Sequence, residues 1–318
     1  MAEHAFLPAG VDVRYNVKVP MRDGVHLSVD IYFPAGRSEP LPVILSRTPY
    51  NNMADALIDD AIYFAQNGYI SALQDCRGRN DSEGGEFNAW VNEYNDGHDT
   101  VEWIGAQEWC SGSVGMHGAS YVGGVQWMSA VMGSRYLKAI APRVIVDNLH
   151  DSVHYQGGCL TLSLDVIWMY SMAGRTSQNI DRFNWDQLFS TLPLRDLPSA
   201  GGKEMGFFQD WLDHPDYDDY WKTISIKERY EQVKIPVLQM SGWYDICSNG
   251  ALDNFVGMRE RGGSQLAREN QQMVMGPWHH SVAQETHAGE VDFGKASVLD
   301  LNEIELRWFD HWLKGIDN

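Results

Sequence analysis

Val114-Gly115-Met116-His117-Gly118-Ala119-Ser120-Tyr121-Val122-Gly123-Gly124 passes from a short apolar run into a helical pattern, with a serine at the junction and glycines on both sides. This is the setting of a nucleophile elbow, where a tight strand-to-helix turn pushes a serine hydroxyl into the open and glycines permit the backbone to approach closely. Val122 occupies the second glycine of G-x-S-x-G, with glycine one residue later. Taken alone, the motif therefore fits an incidental small-residue turn as well as a nucleophile.

Working outward, LPVILS (41–46), YISALQ (69–74), AIAPRVIV (139–146) and PVLQMSG (236–242) are continuous apolar runs suited to strands buried on both faces, and QQMVMGPW (271–278) reads as another strand. Between them Leu57, Ile58, Ala61, Ile62 and Ala65 form one helical stripe closed by Gly68. Further helices are expected near 99–106, 121–132, 249–261 and 299–314. At the start, 14–21 and 25–33 read as a hairpin turning at Arg22-Asp23-Gly24. The alternation predicts an α/β protein of the α/β-hydrolase type, a mostly parallel central sheet with helices on both faces. From 148 to 232 the pattern breaks into helical and irregular stretches rich in Trp, Tyr, Asp and Pro. The expected organisation is a first core part at 1–147, a helical cap inserted at 148–232, and a second core part at 233–318.

A serine hydroxyl is a weak nucleophile that needs a base to take its proton and a carboxylate to orient that base. In α/β hydrolases these follow in the order Ser, Asp, His, each after a later strand. Here PVLQMSG leads into Trp243-Tyr244-Asp245 and QQMVMGPW into His279-His280. Order and topological position agree with Ser120, Asp245 and a histidine of that pair, although a loop acid and a polar loop are the ordinary readings of each group alone.

The 318 residues carry 24 Lys and Arg against 43 Asp and Glu, a formal charge of −19, without a basic cluster. That balance repels phosphate backbones and anionic headgroups, so neither nucleic acid nor a membrane surface is an expected partner. No basic segment precedes an apolar leader and no stretch approaches a spanning helix, which points to a soluble, cytoplasmic protein. Cys76, Cys110, Cys159 and Cys247 are widely spaced, fitting reduced thiols rather than disulfides or a zinc site. Twelve Trp, 14 Tyr and 11 Phe leave large ring surfaces to bury in a core, pocket or interface.

Taken together, VPMRDGVHLSVDIYFP (19–34), RTPYN (47–51), Asp75-Cys76-Arg77-Gly78-Arg79, DGHDTVEWIGAQEWCSGSVGMHGASYVGG (96–124), HPDYDDYW (214–221), SGWYD (241–245), GPWHHS (276–281) and LRWFDHWLKG (306–315) resemble the cocaine esterase-type α/β hydrolases. That family also includes α-amino-acid ester hydrolases, glutaryl acylases and X-prolyl dipeptidyl aminopeptidases. The family's serine motif is G-x-S-Y-x-G, so the resemblance makes Val122 expected. It implies His280 rather than His279 as the base, and an oxyanion hole made of the Tyr50 hydroxyl and the amide of Tyr121. Family members usually continue past the segment matching 306–315 into a β-sandwich domain, which this sequence lacks. Trp308, Phe309 and Trp312 are accordingly candidates for a homo-oligomer contact as well as for packing on the sheet. Ile246-Cys247-Ser248 replace the acidic residues with which α-amino-acid ester hydrolases hold a substrate ammonium, implying a neutral ester.

The reaction expected is cleavage of a small carboxylic ester, or an amide, by a serine esterase through an acyl-enzyme, with no metal or organic cofactor. An acyltransferase or amidase using the same triad is one alternative, and a non-catalytic binding or scaffolding protein is another. His154, Tyr155 and Trp168 are expected to line the substrate pocket. His150 and His154, four apart, could share a helix face and hold a metal, but a third ligand is missing. Asp75, Arg77, Asp96 and Asp99 read as a network pinning loops, and the acidic stretch at 80–86 as a solvated loop without calcium-binding spacing.

Overall fold

The structure is a computed structural model describing residues 10–203 and 205–318. Its centre is an eight-stranded sheet in the order β1-β2-β4-β3-β5-β6-β7-β8, formed by β1 (Val11–Pro20), β2 (His26–Pro34), β3 (Leu41–Thr48), β4 (Ile70–Asp75), β5 (Cys110–Ala119), β6 (Leu137–Arg143), β7 (Val237–Gly242) and β8 (Gln271–Gly276). β1 and β2 form the antiparallel hairpin, β2 pairs antiparallel with β4, and every pair from β4 to β8 is parallel. A parallel ladder has to be covered on both faces. The near-complete burial of β3, β4 and β7 follows from that, and β2 beside them is buried as well.

Two apolar layers flank the sheet. On one face α1 (Asp55–Gln66) and α11 (Leu301–Lys314) pack Phe64, Trp308, Phe309 and Leu313 onto Ile44, Ala139 and Leu238. On the other, α2 (Glu93–Gly105) and α3 (Tyr121–Val131) bring Val101, Ile104, Val125 and Trp127 to Val43, Leu45, Val114 and Ile140. All 11 residues of α3 are buried. Between β6 and β7 the chain runs through α4 (Leu162–Ser171), α5 (Trp185–Phe189), α6 (Leu197–Ala200), α7 (Gly206–Asp213) and α8 (Asp219–Thr223). α9 (Ser248–Arg261) and α10 (Gln265–Glu269) join β7 to β8, and a small pair, β9 (His287–Ala288) with β10 (Val291–Asp292), follows β8.

Two expectations need correction. The helix expected near 99–106 begins at Glu93, because the carboxylates of its first turn are drawn inside by arginines: Glu93 pairs with Arg47 at 2.7 Å and Asp96 with Arg77 at 2.6 Å. Hydrophobic periodicity cannot register a buried turn made of polar residues. The strand expected over 139–146 ends at Arg143, where the chain bends through Val144 at φ 45. Trp308 and Phe309 lie within the core rather than on a free surface, Phe309 edge-on to Phe64 at 6.1 Å, and Trp312 leans on Trp308 at 5.6 Å. Trp308 and Phe309 thus follow the second of their two readings, as packing residues of the sheet face, while Trp312 stays partly exposed.

The loops at the carboxyl ends of the strands are tied by polar groups. Arg77 bridges Asp96 and Asp23, and Arg22 pairs with Asp99. Asp75, at the end of β4, joins no arginine. Its buried carboxylate instead accepts the Asn52 amide at 3.0 Å and Asn80 Nδ2 at 2.8 Å, connecting the loops after β3 and β4.

Phe309→Ala removes a fully buried ring and should cost about 3–5 kcal/mol of stability in urea unfolding. Burial pushes the Asp75 carboxyl up to about 6 from 3.8. Between those values the native state keeps a proton that the unfolded chain has released, so this contribution is complete below the unfolded value and lost as pH rises through about 6. The wild type should therefore lose on the order of 3 kcal/mol relative to Asp75→Asn between pH 4 and 7, read from paired unfolding curves.

Candidate active site

The chain fills the sheet outward in one direction through β3 and β4 and then reverses to β5, so β3 and β5 are neighbours from which connections leave on opposite sides. At such a reversal the loops part and open a crevice beyond the carboxyl ends of the strands. Tyr50 lies just past β3 and Ser120 just past β5, on the two sides of that crevice.

Ser120 sits at φ 60, ψ −127, a conformation that costs a non-glycine residue about 1–3 kcal/mol and persists only when its surroundings enforce it. The Ser120 amide donates to Arg143 O at 2.9 Å, extending the β5–β6 ladder by one rung before the chain turns into α3. Gly118, at φ +129, has no room for a side chain, since a Cβ there would lie 2.3 Å from Val122 Cγ1. The valine that departs from the simple glycine motif thus packs where Gly118 leaves space. Because α3 starts at Tyr121, that residue's amide has no carbonyl one turn earlier to satisfy it and is free for another acceptor.

Asp245 and His280 come from the loops after β7 and β8, which are laced together. Trp243 N donates to Gly276 O at 2.9 Å and Tyr244 N to Trp278 O at 3.0 Å. A Cβ on Gly242 would lie 2.0 Å from Trp278 O, so only glycine allows this crossing. The result places His280 Nδ1 3.0 Å from Asp245 Oδ1. Asp245 is 5% exposed, and the same oxygen accepts the Cys247 amide at 2.8 Å. The imidazole, held by Nδ1 to a buried carboxylate, has Nε2 left to exchange a proton. His279 has a different partner, its Nε2 lying 3.1 Å from Glu285 Oε2.

Tyr50 and Tyr121 are fixed by buried polar groups absent from the sequence-based expectations. Arg79 donates through Nε to Pro49 O at 2.5 Å and through a terminal nitrogen to Met172 O at 2.8 Å, clamping the segment before Tyr50 to the end of α4. The Tyr121 ring stacks on Trp90 at 3.8 Å and its hydroxyl donates to Glu93, itself paired with Arg47. Burial pushes the Tyr50 phenol up, partly offset by the Trp168 indole and the Ser120 hydroxyl beside it, so it remains a hydrogen-bond donor across the ordinary pH range.

A cavity of about 1040 Å³ opens over these groups and is lined by Tyr50, Ser120, Tyr121 and His280. His154 and Trp168 also line it, Trp168 with Nε1 3.4 Å from the Tyr50 hydroxyl. Tyr155 does not: its side chain is buried, stacks on His150 and donates to Trp211 O at 2.9 Å. Trp90, Trp211 and Asp165 line the cavity without having been singled out in the sequence, and Cys247 of the segment after Asp245 lines it too. For Asp165 a signal existed, since it lies three residues before Trp168 and so shares its face of α4. His150 and His154 do not converge, because they form a π-helical turn and bond to Asp151 and Pro215 O in one case and to Asp165 in the other. Among the described residues the grouping of metal-type ligands found is Asp245, Cys247 and His280. Burial and the neighbouring Asp245 push the Cys247 thiol up, away from the thiolate that a metal requires.

The chain is 35% identical to cocaine esterase of Rhodococcus sp. (strain MB1 Bresler) over an alignment covering 95% of this chain and 55% of that protein. Its structure superposes on an aminopeptidase from the marine sediment archaeon Thaumarchaeota archaeon with a TM-score of 0.82 at 22% identity, covering 99% of this chain and 57% of the other. An α-amino acid ester hydrolase superposes with a TM-score of 0.77 at 23% identity, covering 96% and 55%. These two establish the α/β-hydrolase fold. The chain spans a little over half the length of each of these relatives. The sequence model of the X-Pro dipeptidyl-peptidase (S15) family matches residues 23–282, from the first hairpin past His280, and the chain belongs to that family.

Proposed function

We propose that the protein is a serine hydrolase that cleaves small carboxylic esters through an acyl-enzyme. The observation that carries this reading is the His280–Asp245 contact at 3.0 Å in a loop facing the same cavity as Ser120 and Tyr50. Ser120 attacks the carbonyl while His280 Nε2 takes its proton and returns it to the leaving alcohol. Asp245 holds the imidazole in the tautomer this requires and stabilises the imidazolium. The Tyr50 hydroxyl and the Tyr121 amide hold the oxyanion, two donors fixed before the reaction begins. Water, activated by the same histidine, then releases the acid.

The short helices between β6 and β7 act in this proposal as a cap. They supply Leu149, Val153, Trp168 and Trp211 to the cavity, an apolar wall that suits a neutral acyl or aryl group. After Asp245, Ile246 and Cys247 also face the cavity without a carboxylate for a substrate ammonium. Three of the four cysteines are buried and free, in keeping with the reducing, cytoplasmic location that their spacing suggests.

Ser120→Ala should abolish both turnover of short-chain aryl esters and labelling by a serine-directed phosphonate. Undiminished turnover in that variant would remove Ser120 as nucleophile, and failure of the wild type across the ester panel would favour a binding role. Tyr50→Phe should lower kcat about 10²–10³-fold with KM little changed, since the lost hydrogen bond forms in the transition state. Asp245→Asn should lower kcat by about 10⁴ while leaving phosphonate-free binding of the ester intact, checked by competition.

A further inference from the structure

One wall of the cavity carries a polar pair for which the proposed triad has no use. His154 Nδ1 lies 2.8 Å from Asp165 Oδ1. The residues are 5% and 2% exposed and both line the cavity. Each also presents a second polar atom, His154 Nε2 and Asp165 Oδ2, with no hydrogen-bond partner among the described residues. A buried acceptor or donor left unmet costs roughly 1–3 kcal/mol, and two such atoms on one hydrogen-bonded pair, both residues of which line the cavity, mark a place where a ligand completes the bonding. The histidine cannot swing away to solvent, because its ring lies 4.0 Å from that of Trp211 and 5.3 Å from that of Trp221.

The route from the oxyanion donors to this pair is lined by rings. Trp168 Nε1 is 3.4 Å from the Tyr50 hydroxyl, Trp168 stacks on Trp211 at 6.0 Å, and Trp211 covers His154. A ligand with its carbonyl at Tyr50 therefore runs along two indoles and meets His154 and Asp165 with its far end. The chemistry of that end follows from the two open atoms. With Nδ1–H donated to Asp165, a neutral imidazole offers Nε2 as an acceptor, and an imidazolium offers it as a donor, while Asp165 Oδ2 accepts when ionised. A hydroxyl both donates and accepts, so beside an imidazolium it accepts from Nε2–H and donates to Asp165 Oδ2, meeting both atoms, whereas beside a neutral imidazole its one proton meets one of the two acceptors. An ammonium satisfies only the neutral state and is more costly to strip of water against an aromatic wall.

Building on the hydrolase reading, we propose that His154 and Asp165 form a recognition site for a hydroxyl carried at the far end of an apolar or aromatic substrate, making the protein selective for hydroxyl-bearing esters. It acts on affinity and orientation, leaving bond breaking to the Ser120 side of the cavity.

The test uses two matched pairs, ethyl 4-hydroxybenzoate with ethyl benzoate and 4-hydroxyphenyl acetate with phenyl acetate, placing the hydroxyl on the acyl or the alcohol side. Binding to Ser120→Ala protein is followed by quenching of tryptophan fluorescence, so the answer does not depend on hydrolysis. In at least one pair the hydroxylated ester should bind roughly ten- to a hundredfold more tightly. In His154→Phe, which keeps the ring stacked on Trp211, that preference should fall to within about twofold. The double variant His154→Phe/Asp165→Leu, which strands no polar partner, should do the same if the single variant folds poorly, with circular dichroism reporting on folding. Equal affinities within both pairs, no saturable binding of any of the four esters, or a preference that survives the double variant each overturns the proposal. The kcat/KM of the wild type on the same esters separately decides hydrolysis, so failure of that reading and failure of this one give different results.

Discussion

Everything at the candidate site is referred to one turn of backbone, the left-handed conformation of Ser120 between β5 and α3. It is held by the rung from Ser120 N to Arg143 O, by Gly118 accommodating Val122, and by a helix with no exposed residue. A turn that costs about 1–3 kcal/mol endures because moving it would disrupt the β5–β6 ladder and the packing of all of α3. The same turn aims the serine side chain into the crevice and leaves the Tyr121 amide without a helical partner. The nucleophile and one oxyanion donor of the proposed mechanism thus arise from a single backbone constraint.

Around that turn the protein uses buried ions as positioning devices. Arg47 and Glu93, both within the core, connect β3 to α2 and hold the Tyr121 hydroxyl. On the opposite face Glu305 of α11 reaches His117 at 3.1 Å and Arg143 at 3.3 Å, on the two strands whose ends form the elbow. Burying such groups brings a desolvation cost comparable to the attraction gained, so their value lies in fixing one geometry more than in raising stability. Arg79 achieves a similar result without a carboxylate, by bonding the carbonyls of Pro49, just before Tyr50, and of Met172, at the end of α4.

The segment between β6 and β7 has a different character. Its helices are short, and its packing is largely aromatic, with Trp168, Phe207 and Trp211 in mutual contact and Trp211 and Trp221 against His154. Rings give a stiff wall with few rotatable bonds, and Trp168 and Trp211 of this wall line the same cavity as Ser120. Part of the unusual tryptophan content is explained by this wall. Trp127, buried in α3, and Trp308, buried in α11, account for more of it as sheet packing.

The sequence by itself determined the order of strands and helices, the mostly parallel sheet, and the positions of Ser120, Asp245 and His280 just past β5, β7 and β8, because apolar periodicity and turn chemistry act over a few residues and are written locally. Only the tertiary structure decided that α2 begins at Glu93, that Tyr155 turns away from the cavity, that Trp308 and Phe309 close the sheet face, and that Asp165 joins His154 in the cavity wall. The first three depend on partners far along the chain, as His117 does on Glu305 at a separation of 188 residues, and the Asp165–His154 pair, 11 residues apart, on the fold that seats both in the cavity wall. No local pattern encodes such a meeting; it exists once the sheet has brought the strand ends together, and the burial that results decides which polar groups pair and which are left to face a ligand.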